Sequence, residues 1–265
     1  MSQQKTKNTP IQIRTISRYG WTPDLPDQRD FMFGAVRRIP KTLPKKVDLR
    51  ENCSPVEDQG NLGSCTANAL VGLLEYLEIT DKVSFADLSR LFVYYNERVI
   101  EKSVNQDSGA MLRDGIKTLA KQGVCTEARW PYLISKFTKK PPPTCYKEAL
   151  DRQILSYQRL ATTDEMRACL ADKFPFVFGF SVYESFESQE VAKTGIVPMP
   201  KAAEKQLGGH AVLAVGYDDA KKQFIVRNSW GPDWGIGGYF MMPYKYLADR
   251  NLSDDFWTVR VGENM

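Results

Sequence analysis

The spacing of apolar residues changes character near residue 150, and that change leaves few architectures open. Before it the spacing is helical. Ala67, Leu70, Val71, Leu74 and Leu77 recur every three or four residues, with Glu75 and Glu78 on other faces, which predicts a helix over residues 66–78. Residues 85–101 and 110–122 read as two more, the latter stopped by Gly123. After residue 150 the apolar runs are short and bounded by Gly, Pro and Asp. Residues 174–182, 211–217, 224–228 and 238–242 read as strands, with 218–222 as a hairpin loop. Helices first and strands second predict an α+β protein of two segregated halves, and clefts between such halves favour ligands.

The expected division is an arm over 1–42, a helical half over 43–150 and a β half over 151–265. Lys139, Lys140, Pro141, Pro142 and Pro143 form an exposed loop near the second boundary. In the arm, Pro23, Pro26 and Pro40 break any long helix. Trp21, Phe31 and Phe33 are too apolar for a free tail. The arm is therefore expected to lie on the body, as a structural strap or as a pro-segment occluding a cleft.

Composition excludes more than it selects. The net charge of +4 is mild, and no nucleic-acid-binding signature accompanies it, so no nucleic-acid partner is expected. No apolar run approaches the roughly 18 residues of a membrane span. Residues 1–10 are polar and lack the apolar core of a secretory signal. A cytoplasmic monomer is the default expectation, with export by another route left open. The five cysteines are Cys53, Cys65, Cys125, Cys145 and Cys169, and the odd count leaves at least one thiol unpaired. Cys125 and Cys145 could pair across the Pro-rich loop. None falls in a C-x-x-C pair, and a single His cannot complete a Cys/His zinc site, so no metal or cofactor is expected.

That single His is the sharpest chemical clue. Cys65 lies in Gln59-Gly60-Asn61-Leu62-Gly63-Ser64-Cys65, and His210 lies in Gly208-Gly209-His210-Ala211. A thiol becomes a nucleophile at neutral pH only when its proton is removed, and imidazole suits that task. Ser64 falls at the N-cap of the first helix and Cys65 in its first turn, where the helix dipole favours a thiolate. Gln59 can fold back, so that its amide and the Cys65 N–H form an oxyanion hole. Asn228 ends the strand after that of His210. A hairpin would bring the two together, Asn228 holding one ring nitrogen and leaving the other for Cys65. Trp230 and Trp234 could shield that bond from water.

These residues carry a resemblance. Gln-x5-Cys, Gly-His-Ala opening a strand, and Asn-Ser-Trp-Gly-x2-Trp-Gly from Asn228 to Gly235 resemble the papain-like cysteine peptidases over about residues 43–245. The resemblance implies a helical left domain with Cys65, a β-barrel-like right domain with His210 and Asn228, and an active site between them. It implies Gln59 as the oxyanion donor and Trp230 as the indole over the Asn–His bond. Gly63 and Ser64 beside the sulfur, with Ser108 and Gly109, would meet substrate backbone. Met111, Gly179, Gly209 and Ala211 would line a roomy apolar pocket for a bulky hydrophobic side chain two residues before the scissile bond (P2).

Two positions depart from the pattern. Leu62 stands where the family has a cysteine, so the usual nearby disulfide cannot form, and Thr66 replaces an aromatic residue. The expected activity is endopeptidase cleavage of peptides or proteins, with the arm as an intramolecular cleft ligand. The rivals are acyl transfer to an amine on the same Cys, His and Asn, and a catalytically silent peptide-binding protein.

Overall fold

The helix expected from residue 66 runs over Cys65–Thr80 (α2) in the computed structural model, which describes residues 19–81 and 85–261. It follows a short helix, α1 (Phe33–Val36), and a strand, β1 (Lys46–Asp48). Helices α3 (Arg90–Ile100), α4 (Leu112–Lys121) and α5 (Pro143–Ala149) come next. The remaining elements are β2 (Ser156–Arg159), α6 (Thr163–Ala171), β3 (Phe176–Tyr183), α7 (Gln189–Thr194), β4 (Gln206–Asp218), β5 (Gln223–Arg227), β6 (Tyr239–Pro243), α8 (Tyr244–Ala248) and β7 (Ser253–Arg260).

Every residue of α2 from Cys65 to Leu77 is buried. Glu75, expected on a face other than the apolar one, is buried too; it accepts from the Leu88 N–H at 2.9 Å and from the Ser54 hydroxyl. Burial pushes its carboxyl up to about 7. Helix α3 starts five residues later than the spacing suggests, because Ser89 takes the N-cap and accepts from Phe92 N at 3.1 Å. Helix α4 ends before Gly123, whose φ of 72° terminates it. Helix α6 was not expected. Its local signal is Thr162 accepting from Glu165 N, with Glu165 reaching back to Ala161 N.

The strands form one antiparallel sheet in the order β2-β7-β3-β4-β5-β6, with β1 paired to the far end of β4. The end strands β2 and β6 do not pair with each other. The sheet is therefore open, and the barrel-like expectation is corrected. Its edges are covered instead: Met32 of the arm bridges to Arg159 on β2, and Ile196 bridges to Met241 on β6. Seven of the eight residues of β3 are buried, and Phe176, Phe178, Phe180, Phe224, Phe240 and Phe256 pack around it. Strand β1 shows that residues from the first half complete the sheet of the second. The arm residues 1–18 lie outside the described residues.

Helix α2 packs on β4 and faces the sheet at Gly72. A Cβ there would stand 3.4 Å from Arg227 Nε and 3.6 Å from Leu213 Cδ2. This contact sets Cys65, at the start of α2, against β4, which carries His210.

Candidate active site

The Cys65 loop is tied on two sides. Both carboxylate oxygens of Asp107 accept from Gly63 N, at 3.0 and 3.1 Å. Tyr94 donates its hydroxyl to Asp107 and accepts from Gly109 N at 3.2 Å. One carboxylate thus joins the loop before Cys65 to the segment 108–110. On the other side Gln59 N donates to Ser229 O at 2.9 Å, and Gly231 N to Glu57 O at 2.9 Å. Ser64 stands at the N-cap of α2 but makes no capping bond; its hydroxyl meets Tyr132 OH and Asn68 Nδ2.

His210 lies within β4, opposite Phe180 of β3, and Asn228 directly follows β5. The β4–β5 hairpin brings them together, with His210 Nε2 2.8 Å from Asn228 Oδ1. Trp230 stacks on the imidazole at 5.0 Å and 27°, and Trp234 meets Trp230 edge-on at 5.2 Å. The N–H of Ala211, the next residue along β4, donates to Cys65 Sγ at 3.3 Å. Gln59 is buried in the same place. Its Nε2 donates to Leu62 O at 2.8 Å, and its Oε1 accepts from Ser229 Oγ at 2.6 Å.

The arm runs through this site. Trp21 N donates to Gly209 O at 3.0 Å, Ala110 N to Gly20 O at 2.7 Å, and Thr22 N to Ala110 O at 3.1 Å. These bonds use Ala110, one residue beyond Ser108 and Gly109; the Ser108 hydroxyl turns to Ser103 instead. Gly20 passes so close that a Cβ on it would lie 1.7 Å from Gly63 O. A Cβ on Gly109, whose φ is 72°, would lie 2.2 Å from Gly20 O. The Trp21 indole lies against Gly179, where a Cβ would stand 1.9 Å from the ring, and against Gly209. Met111 is half-buried nearby and donates its N–H to Glu101.

Cys65 and His210 are both fully buried. Burial pushes the Cys65 thiol up to about 12, against hydrogen bonds from the Ala211 and Gly20 amides that favour the thiolate. The position at a helix N-terminus led to the opposite expectation. The difference comes from burial, which outweighs those hydrogen bonds. The Trp21 indole, lying against Gly179 and Gly209 of the expected roomy apolar pocket, donates its Nε1–H to Asp255 Oδ2 at 3.1 Å. Asp255, Tyr94 and Tyr132 lie in no local pattern that marks them; Asp107 adjoins Ser108 and Gly109, its only cue. The five thiols are free, Cys125 and Cys145 included.

Comparison with known proteins agrees with this geometry. Residues 43–253 match the papain family cysteine protease model. A peptidase C1-like protein of Acanthamoeba polyphaga mimivirus is 45% identical, over 93% of this chain and 88% of that protein. The crystal structure of xylellain, a cysteine protease from Xylella fastidiosa, is 45% identical with a TM-score of 0.85, covering 96% of this chain and 100% of that one. Bromelain from Ananas comosus, solved with the E64 inhibitor, shares the fold at 20% identity and a TM-score of 0.64, over 83% of this chain and 100% of that one. With a match over most of its length and relatives at this level of identity, the chain belongs to the papain family of cysteine proteases and is a cysteine peptidase.

Proposed function

We propose that the protein is an endopeptidase held latent by its own N-terminal arm. Cys65 is the nucleophile and His210 its proton acceptor and donor. Asn228 orients the imidazole, and Gln59 with the Cys65 N–H stabilises the oxyanion. The hydrogen bond to Asn228 commits His210 Nε2, so proton exchange with the sulfur runs through Nδ1. Once water and substrate replace the arm, the desolvation that keeps the thiol protonated is relieved. The start of α2 and the imidazole then favour the thiolate–imidazolium pair.

The thiolate attacks the scissile carbonyl carbon, and the carbonyl electrons move to the oxygen. His210 gives its proton to the leaving amine as the C–N bond breaks, which leaves a thioester on Cys65. It then takes a proton from water, whose oxygen attacks the thioester and releases the acid. Gly209 O and the Ala110 backbone, now bonded to the arm, hold the substrate chain.

One observation carries the latent reading. Gly20 O accepts from Ala110 N at 2.7 Å and Trp21 N donates to Gly209 O at 3.0 Å, so the arm fills the cleft with its Gly20 carbonyl already engaged. The full-length protein tests it. Gly20→Ala places a methyl against Gly63 O and should raise the rate at which an epoxysuccinyl peptide labels Cys65 by about 10–100-fold. Cys65→Ala and His210→Ala should abolish hydrolysis. Equal labelling of wild type and Gly20→Ala would remove the latent arm; no labelling of either would favour the silent rival.

A further inference from the structure

A directed chain of hydrogen bonds links the Gln59 loop to the peptide unit that carries the Cys65 N–H. It starts at Asn68, a polar side chain buried in the first turn of α2. Asn68 Nδ2 gives both hydrogens to Ser64, one to the carbonyl at 2.9 Å and one to the hydroxyl at 3.1 Å. Asn68 Oδ1 faces the Arg90 guanidinium at 3.5 Å, and that donor-only group fixes which way the amide points. At the far end Tyr132 donates its hydroxyl to Gln59 O at 2.8 Å. That bond uses the only phenolic proton, so the Ser64 hydroxyl is the donor in its contact with Tyr132. The order is therefore forced: Asn68 to Ser64, Ser64 to Tyr132, Tyr132 to Gln59. Burial pushes the Tyr132 hydroxyl up to about 12, so it stays a donor at neutral pH.

We propose that Asn68 and Tyr132 are positioning residues that hold the two donors of the oxyanion hole in register from behind. This deepens the proposed function and rests on Gln59 and the Cys65 N–H being those donors. The Cys65 N–H shares its peptide unit with Ser64 O. That carbonyl accepts twice from Asn68, from the backbone N at 3.0 Å and from Nδ2 at 2.9 Å. Both bonds resist rotation of the unit and polarise its N–H. Gln59 comes from a loop, and Tyr132 fixes that loop at the Gln59 carbonyl itself. Arg90 braces both ends, with its guanidinium 4.2 Å from the Tyr132 ring and 2.9 Å from Glu57. Donors stabilise an oxyanion only when they already point to where it forms, so a small displacement lowers the rate without weakening substrate binding.

The test compares two reactions of one thiol in the full-length Gly20→Ala chain. Hydrolysis of a peptide substrate builds an oxyanion. Alkylation of Cys65 by iodoacetamide, mapped by mass spectrometry, displaces iodide at carbon and builds none. Tyr132→Phe keeps the ring and removes the hydroxyl, and Asn68→Leu keeps the size and removes the donors. Each should lower kcat about tenfold, with KM and the alkylation rate within about twofold of the parent. In a Gln59→Ala background, Tyr132→Phe should lower kcat by no more than about twofold further. Parallel loss of hydrolysis and alkylation, an unchanged kcat in Tyr132→Phe, or an equal loss in both backgrounds overturns the proposal. If Asn68→Leu fails to fold, Tyr132→Phe and its cycle decide. Failure of the underlying reading looks different: Gln59→Ala would then keep the parent kcat, which overturns the role of Gln59 and this proposal with it.

Discussion

His210 Nε2 and Asn228 Oδ1 lie 2.8 Å apart with the Trp230 indole stacked on the imidazole. The amide oxygen can only accept, so the bond puts the proton of a neutral ring on Nε2 and leaves Nδ1 as its basic nitrogen. Asn228→Ala removes the acceptor from a buried N–H and frees the ring to turn. The expected result is a loss of about 10²-fold in kcat with Cys65 still open to labelling in an arm-displaced background. Steady-state kinetics checks this, and an unchanged kcat would show that the ring needs no such support.

Arm docking should strengthen in acid. Burial, and then the charge of Asp24, push the Asp255 carboxyl up from 3.8 to about 7, and burial moves Asp24 in the same direction. A group whose docked value is raised binds its proton more tightly when docked. Its contribution to docking is full below the ordinary carboxylate range and is lost as pH rises through about 7. Asp254, Arg159 and Arg113 face the same cluster. The alkylation rate of wild-type Cys65, divided by that of Gly20→Ala at each pH, should therefore climb from pH 5 to pH 8. The slope is at most about tenfold per pH unit for each linked proton. A ratio that falls over this range contradicts the proposed latch.

Asp107 is expected to support both the fold and the rate. It receives the Gly63 amide on both oxygens and the Tyr94 hydroxyl on one. Asp107→Ala leaves these donors without their acceptor, at a cost of about 2 kcal/mol, and loosens the loop that carries Cys65. Thermal melts should show a lower Tm, and kcat/KM should fall about tenfold in arm-displaced protein. Asp107→Asn, which keeps one acceptor oxygen, should recover part of both.

Gln59 separates two roles within one side chain. Its Oε1 holds Ser229 Oγ at 2.6 Å, while its Nε2 donates to Leu62 O at 2.8 Å and has a second hydrogen for an oxyanion. Gln59→Glu keeps the first contact and removes the donor. A fall of about 10²–10³-fold in kcat is expected, together with a lower Tm because the new carboxylate oxygen faces Leu62 O. Loss of Tm without loss of rate would make Gln59 a structural residue only.

Much of the fold was legible because local patterns encode it. The three- and four-residue spacing from Ala67 to Leu77 predicted α2, and the turn residues Asp218 to Lys222 marked the β4–β5 hairpin. Boundaries moved where a side chain took over, as Ser89 did at the start of α3. The open sheet was not legible, because edge pairing depends on what covers β2 and β6.

The sequence by itself determined the reagents. One histidine, one cysteine at a helix start and an asparagine after the next strand are identified by neighbours within a few residues, through periodicity and turn chemistry. Only the tertiary structure decided their state. Trp21 meets Asp255 across 234 positions, and Gly20 crosses in front of Cys65. Those contacts set the burial, and burial keeps the thiol protonated and puts an acid at the end of the pocket. Dielectric environment is a property of packing between distant segments, so no local pattern in the chain encodes it.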